Sequence, residues 1–127
     1  MNTSASLKIK GMSPQFLVAD MNRSIEFYTG KLGFGVSFRY EDFYAGLARD
    51  GYSIHLKSGK PAIGERENRK NNEHLDITFL IDGVEILYED IKNKSVEITQ
   101  AIRDMPYGRE FYIADPNGHI IAFLEEK

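Results

Sequence analysis

The chain has 127 residues, 42% of them hydrophobic and 28% charged, with a formal net charge of −3 and no cysteine. This is the composition of an ordinary globular domain that buries roughly two thirds of its unfolded surface, and its interspersed charges offer no basic stripe to nucleic acid. The absence of cysteine excludes thiol nucleophiles and thiolate metal sites, and with no apolar run of membrane-spanning length and no signal-like start we expect a cytoplasmic protein.

The first half of the chain predicts a strand, a helix and three more strands. Residues 15–19 have the composition of a strand, Asp20 is a typical N-cap, and the apolar residues that follow recur at helical spacing until Gly33 ends the helix. Three further strands, separated by turn residues, are expected at residues 34–40, 43–49 and 52–57.

The second half repeats this order. Residues 59–72 are rich in Gly, Pro and charged side chains and indicate a linker or a mobile flap. A strand at 75–81, Asp82 in the position of Asp20, and a helix ending near Lys94 then precede the closing strands. We therefore predict an α+β fold of two βαβββ modules with curved mixed sheets around a cavity. The predicted single domain covers 12–127, with module 1 at 12–58, the linker at 59–72 and module 2 at 73–127.

The closing hairpin turns at residues 115–118, whose sequence Asp-Pro-Asn-Gly suits a three-residue loop with a glycine bulge. In one register Phe111 and Phe123 oppose each other on the core face, and Arg109 lies on the helix side beside a carboxylate. A slip of one residue reverses both faces and makes Arg109 an anion anchor in the cavity. The first register is favoured because it gathers the large apolar residues on one side.

Two segments carry a resemblance to a known family: VADMNRSIEFYTGKLGF at residues 18–34 and GREFYIADPNGHIIAF at residues 108–123. With them the chain resembles the vicinal oxygen chelate superfamily of glyoxalases, ring-cleaving dioxygenases and bleomycin- or fosfomycin-resistance proteins, and looks most similar to the small bleomycin-resistance-like members. The resemblance implies paired βαβββ modules that enclose a cavity, and a homodimer in which modules associate across subunits.

The resemblance also implies four metal-ligand positions, one on the first and last strand of each module. They fall on Ser13, His55, Asp76 and Ala122. Serine is a poor ligand and alanine has no donor atom, so we expect no metal cofactor. Nearby polar side chains lie two residues away along a strand, about 6 to 7 Å, whereas coordination bonds are about 2 Å long.

The remaining site candidates are aromatic or ionisable residues on strands that line the expected cavity. His55 is a ligand, a general base or a simple hydrogen-bonding residue, and Asp76 either faces the cavity or bonds backbone at the sheet edge. Aromatic and acidic side chains suit a pocket for a flat or cationic molecule. The predicted ligand-binding set is Phe38, Tyr40, His55, Asp76, Tyr107, Glu110 and Tyr112.

Three functions are compatible with this set. The leading hypothesis is a metal-independent binding protein that sequesters a planar or cationic small molecule. The second is a metal-dependent glyoxalase-like lyase, isomerase or dioxygenase, which the alanine at position 122 disfavours. The third is a scaffold whose cavity is filled by its own side chains.

Overall fold

The computed structural model describes residues 7–60 and 73–127. Helix α1 continues directly into a π-helical turn, so the segment from Met21 to Lys31 forms one helical unit. The elements in chain order are β1 (Gln15–Val18), α1 (Met21–Glu26) with its π-turn (Phe27–Lys31), β2 (Gly35–Tyr40), β3 (Tyr44–Arg49), β4 (Tyr52–Ser58), β5 (Ile77–Leu80), α2 (Val84–Lys92), β6 (Glu97–Met105), β7 (Gly108–Ala114) and β8 (Ile120–Glu126).

The strands form two four-stranded mixed sheets of the same topology. The first has the order β1-β4-β3-β2 and the second the order β5-β8-β7-β6. In each sheet the first and last strands of a module pair in parallel, and the other pairs are antiparallel. The predicted α+β fold of two βαβββ modules is confirmed. Module 1 denotes the elements β1 to β4 and module 2 the elements β5 to β8 from here on.

The two helices begin in different ways. In module 1, Asp20 Oδ1 accepts the Arg23 amide at 3.1 Å, as a local N-cap. In module 2 the N-cap is Gly83, which is left-handed with φ 76° and has no capping side chain. Glu125 of β8 caps this helix instead, because its Oε1 accepts the amides of Gly83 at 2.7 Å and Val84 at 2.9 Å. The expectation that Asp82 acts like Asp20 is therefore wrong.

A single hydrophobic core joins the modules. It contains the helix-facing side chains of both sheets, such as Leu47 and Leu56 in module 1 and Phe111 and Ile121 in module 2. Residues that alternate with these along each strand point away from the shared core. In one chain, therefore, the opposite faces of the two sheets are not part of the interface between the modules.

The closing hairpin adopts the favoured register. Phe111 pairs with Phe123, and the Asp115 amide donates to the His119 carbonyl across a three-residue loop in which Gly118 has φ 86°. Arg109 lies on the helix side, where it forms ion pairs with Asp104 at 2.7 Å and with a glutamate of α2.

This hairpin also fastens module 2 to module 1. The buried Asp115 carboxylate accepts the Tyr28 hydroxyl at 2.7 Å and bonds the His119 ring at 2.7 Å. Asn117 accepts the Ala19 amide at 2.9 Å and donates to the Ser24 hydroxyl at 3.0 Å. Burial and the neighbouring Asp115 carboxylate raise the pKa of Tyr28, so this hydroxyl remains a donor.

The strand predicted at 75–81 is shorter in the structure, and strict alternation along the predicted range would place Leu75 on the helix side with Ile77 and Phe79. Leu75 instead packs against the buried cluster of Tyr112 and Ala122 on the other face. The reason is that β5 begins at Ile77, so the alternation of the strand does not extend back to Leu75. The proposed flap falls mainly on residues 61–72, which lie outside the described residues. No helix in the described ranges is long and apolar enough to cross a membrane.

Candidate functional site

The open face of the first sheet carries a patch of aromatic rings. Phe38 is its centre, with ring centroids 5.3 Å from His55, 5.6 Å from Tyr40 and 6.0 Å from Tyr44. Phe43 extends the patch, 6.2 Å from Tyr40. Tyr40 and Phe43 are 59% and 58% exposed, whereas large aromatic side chains in globular proteins are mostly buried. We call these five residues the aromatic patch.

The patch depends on a glycine beneath its central ring. Gly46 of β3 pairs with Phe38 of β2, and a Cβ at position 46 would lie 2.2 Å from Phe38 Cε1. The phenyl ring therefore rests directly on the backbone of β3. This close approach fixes the Phe38 ring against the sheet. The Tyr44 ring lies nearly parallel to it, at an interplanar angle of 10°, whereas the rings of Tyr40 and His55 are inclined at 51° and 83°. The near-parallel pair is the part of the patch on which a planar molecule can stack.

His55 is held within the patch by its neighbours. The Tyr44 hydroxyl lies 2.8 Å from His55 Nδ1 and 3.1 Å from Gln15 Oε1. If the hydroxyl donates to Gln15, Nδ1 carries the imidazole proton and Nε2 is an acceptor. No described residue bonds Nε2, so His55 can accept a hydrogen bond from a bound molecule. Gln15 and Tyr44 are the two members of this group absent from the predicted set.

The open face of the second sheet is closed by its own side chains. Glu110 is buried, and its carboxylate accepts the hydroxyls of Tyr107 at 2.8 Å and Tyr112 at 2.9 Å. Arg103 of β6 forms an ion pair with the same carboxylate, with Nη2 2.8 Å from Oε2. The Arg103 guanidinium also lies over the Tyr112 ring, 5.3 Å from its centroid. We call these four residues the Glu110 network.

The electrostatics of this network keep Glu110 ionised. Burial alone would raise its pKa, but the hydrogen bonds from Tyr107, Arg103 and Tyr112 together outweigh burial and lower it. Burial and the Glu110 carboxylate raise the pKa of Tyr112 to about 12, and hydrogen bonding to Glu110 raises that of Tyr107. Both phenols are therefore donors, and Glu110 has a neutralising partner in Arg103.

Sequence reasoning missed Arg103. Its side chain also donates to Glu73 at 3.0 Å and Gln100 at 3.3 Å, so every guanidinium nitrogen is bonded to protein. An arginine directly opposite a glutamate on adjacent strands is a recognisable cross-strand pair. This cross-strand pair could have pointed to Arg103, but recognising it requires the register between β6 and β7.

The four implied metal positions do not form a ligand set in this chain. Ser13 bonds Ser53, His55 bonds Tyr44 through Nδ1, and Ala122 is a buried residue without a donor. Asp76 Oδ2 accepts the Ile120 amide at 2.8 Å, which is the backbone-bonding alternative foreseen for it. No group of three acidic, histidine or cysteine side chains within the described ranges has the geometry of a metal site. The donor chemistry thus fits a resident metal poorly.

The predicted site residues therefore fall into separate groups. Phe38, Tyr40 and His55 come together in the aromatic patch, and a second trio, Tyr107, Glu110 and Tyr112, comes together in the Glu110 network. Asp76 belongs to neither group, because its carboxylate is bonded at the start of β8. Their roles in ligand binding stay predictions.

Comparison with known proteins agrees with the fold. The family model described as "Glyoxalase/Bleomycin resistance protein/Dioxygenase superfamily" matches residues 13–123. Among curated proteins, no sequence matches this chain significantly.

Three solved structures illustrate the similarity. An antibiotic binding protein, TnmS3 from Streptomyces sp. CB03234, is 17% identical with a TM-score of 0.73, over 94% of this chain and 98% of that one. The bleomycin-binding protein from Streptomyces verticillus, solved with copper(II)-bleomycin, is 20% identical with a TM-score of 0.65, over 95% and 99% of the two chains. The fosfomycin resistance protein FosX from Listeria monocytogenes is 19% identical with a TM-score of 0.71, over 94% and 96%. Identities this low establish the shared fold alone.

Proposed function

Because this chain belongs to the glyoxalase/bleomycin resistance protein/dioxygenase superfamily, also called the vicinal oxygen chelate superfamily, we propose that it is a metal-independent protein that binds a planar small molecule. The observation that carries the proposal is the aromatic patch, whose five rings lie 5.3 to 6.2 Å from their neighbours on an exposed sheet face. Rings exposed together on a rigid sheet, rather than scattered singly, are typical of a binding surface.

The proposed ligand stacks on Phe38 and donates a hydrogen bond to His55. A flat N–H or O–H compound satisfies both requirements, since the ring floor supplies contact area and Nε2 supplies an acceptor. The neutralised Glu110 network argues against attraction of a cation as the main source of affinity. We therefore propose that the aromatic patch selects its ligand by planarity rather than by charge.

We further propose that the binding unit is a cytoplasmic homodimer. The open faces of both sheets lie outside the core that the modules share, so no element in residues 7–60 and 73–127 of the same chain forms a wall opposite the aromatic patch. A second copy would supply that wall. The absence of cysteine fits a reducing compartment. The structurally similar antibiotic binding protein TnmS3 and the bleomycin-binding protein from Streptomyces verticillus support a small-molecule partner.

Metal independence follows from the chemistry of the four implied positions. A carboxylate at position 122 is replaced by a methyl group, and Ser13 and Asp76 are engaged within the protein. A metal would need new ligands at two of these places. Native mass spectrometry after incubation with Ni²⁺, Zn²⁺, Mn²⁺ or Fe²⁺ should show a metal-free dimer, and one tightly held ion per protomer would refute this part of the proposal.

The binding proposal is tested with two planar probes of opposite charge, proflavine and 6-hydroxynaphthalene-2-sulfonate, which both carry an N–H or O–H donor and are titrated in the presence of EDTA. We expect saturable binding of both and a rise in the unfolding temperature. Replacing the central ring with Phe38→Ala should weaken both about 5- to 150-fold, since base-sized aromatic stacking contributes about 1 to 3 kcal/mol.

The matched control is Val36→Ala. Val36 is also an exposed apolar residue of module 1, 50% exposed, but it lies outside the aromatic patch. Its removal should leave both affinities at this site unchanged. Absence of saturable binding by either probe, or equal losses in the two variants, would refute the proposal and favour a scaffold without a ligand.

A further inference from the structure

A second hollow lies on the helix side of the molecule, between the two modules, and has a volume of about 670 Å³. Its floor is a row of three phenylalanine rings, with Phe34 of module 1 5.9 Å from Phe79, and Phe79 5.7 Å from Phe123 of module 2. None of the residues of the aromatic patch or of the Glu110 network lines it. We call this hollow the intermodule groove.

The rim of the groove is unusually apolar for an exposed surface. Tyr52, Leu80 and Ile86 line it and are 73%, 63% and 79% exposed. Large apolar side chains that remain exposed around a hollow of ligand size mark a binding site more often than isolated ones do. The groove thus has both an apolar floor and apolar walls.

One charge at the rim is unbalanced. Asp50 faces Arg49 at 3.6 Å, and Asp90 pairs with Lys94 at 2.8 Å. Asp82 also lines the groove, but no described residue forms an ion pair or a hydrogen bond with it. Asp82 is exposed, and Glu125 rather than Asp82 accepts the amides at the start of α2. The groove therefore carries an unpaired carboxylate beside an apolar floor.

We propose that the intermodule groove binds an amphipathic organic cation, with its apolar body over the three phenylalanine rings and its ammonium group beside Asp82. The volume lies within the range of small-molecule pockets, roughly 300 to 1,000 Å³. Charge complementarity selects a cation over an anion of the same shape, and the aromatic floor supplies contact area. This site is separate from the aromatic patch and does not depend on it.

The test uses two probes with the same ring system, 1-naphthylmethylamine as the cation and 1-naphthylacetic acid as the anion, at pH 7. Amide chemical shifts are followed by NMR during each titration. We expect the cation to shift the amides of Leu80, Gly83 and Leu87 saturably, and the anion to bind at least fivefold more weakly. The variant Asp82→Asn should weaken the cation about fivefold and should not weaken the anion, because the lost charge attracts the cation and repels the anion; the effect is modest because a single exposed charge acts through solvent.

The matched control is Asp42→Asn, which removes an exposed carboxylate outside the groove, 81% exposed and paired with Arg39. It should change neither affinity. The proposal is overturned if the cation shifts only residues of the aromatic patch, if the two probes bind equally, or if Asp82→Asn has no effect. It is also overturned if Ile86→Glu dissociates the dimer, since the groove would then be an interface between copies of the chain.

Discussion

Removing Arg103 should turn the buried Glu110 from a stabilising group into a destabilising one. The Glu110 side chain is 4% exposed, and Arg103 is its cationic partner at 2.8 Å. In Arg103→Met the carboxylate keeps the hydroxyls of Tyr107 and Tyr112 but loses its countercharge. Breaking a buried ion pair costs about 3 to 5 kcal/mol. Because the Arg103 side chain is 27% exposed and two hydroxyl donors remain, we expect the lower value, about 3 kcal/mol.

This cost should depend on pH. In the wild-type protein the pKa of Glu110 is lowered, so its stabilising contribution is complete above the ordinary carboxyl pKa and is lost as the pH falls through the lower folded value. Without Arg103, burial prevails and the folded pKa rises above the ordinary one. The variant then recovers stability on protonation. The difference in unfolding free energy should therefore be largest at pH 7 and shrink toward pH 4.

The assay is urea unfolding of both proteins at pH 7 and pH 4, with thermal unfolding at pH 7. At about 2.1 cal/mol/K per residue, the expected cost corresponds to a fall of about 11 °C in the unfolding temperature. Arg109→Met is the matched control, because its partners Asp104 and Glu85 are 73% and 64% exposed, and it should cost less than about 1 kcal/mol. Equal costs for the two variants, or a cost for Arg103→Met that is the same at both pH values, would refute the reasoning.

Four further variants test individual contacts by urea unfolding at pH 7. Glu125→Ala should lower the free energy of unfolding by about 1 to 2 kcal/mol because α2 loses its cap, whereas Asp82→Ala should change it by less than about 0.5 kcal/mol. A larger cost for Asp82→Ala than for Glu125→Ala would indicate that Asp82 caps the helix instead. Tyr28→Phe should cost about 2 kcal/mol by leaving the buried carboxylate of the closing turn without one donor, and a neutral result would contradict that bond. Gly46→Ala should cost about 1 to 3 kcal/mol and weaken both planar probes by displacing Phe38, and unchanged binding would contradict the stacking floor.

The parts of the fold that sequence predicts well are those fixed by local chemistry. The turn at residues 115–118 combines Asp-Pro-Asn-Gly, and its neighbours place large apolar residues at every second position, so turn and register agree. Asp20 caps α1 from three residues away, which is a local contact that sequence patterns contain. The metal-ligand positions come from the family resemblance alone, and the absence of a metal cofactor stays a prediction.

The parts that sequence misses depend on contacts between distant residues. Glu125 caps α2 although it lies 41 residues away from Val84 in the chain, and the sequence around Gly83 gives no indication of this contact. The Glu110 network could not be predicted because of irregularities in β6, where the register shifts between Ile98 and Gln100 and again between Gln100 and Arg103. Each shift breaks the alternation on which face assignment relies, so the side of Arg103 cannot be counted from the start of the strand.

The bond between Asp115 and Tyr28 has a consequence for folding and for divergence. The two modules share one topology, yet the equivalent turn of module 1 begins at Asp50, which is 84% exposed and, within the described part of the chain, pairs with its neighbour Arg49 alone. The closing turn of one half is thus a structural component of the other. If either module unfolds alone, the buried Asp115 carboxylate loses its hydrogen bond from Tyr28. This loss favours cooperative, all-or-none unfolding over stepwise unfolding of one module. The two copies are consequently no longer interchangeable, and substitutions in the closing turn are constrained by the helix of the opposite repeat.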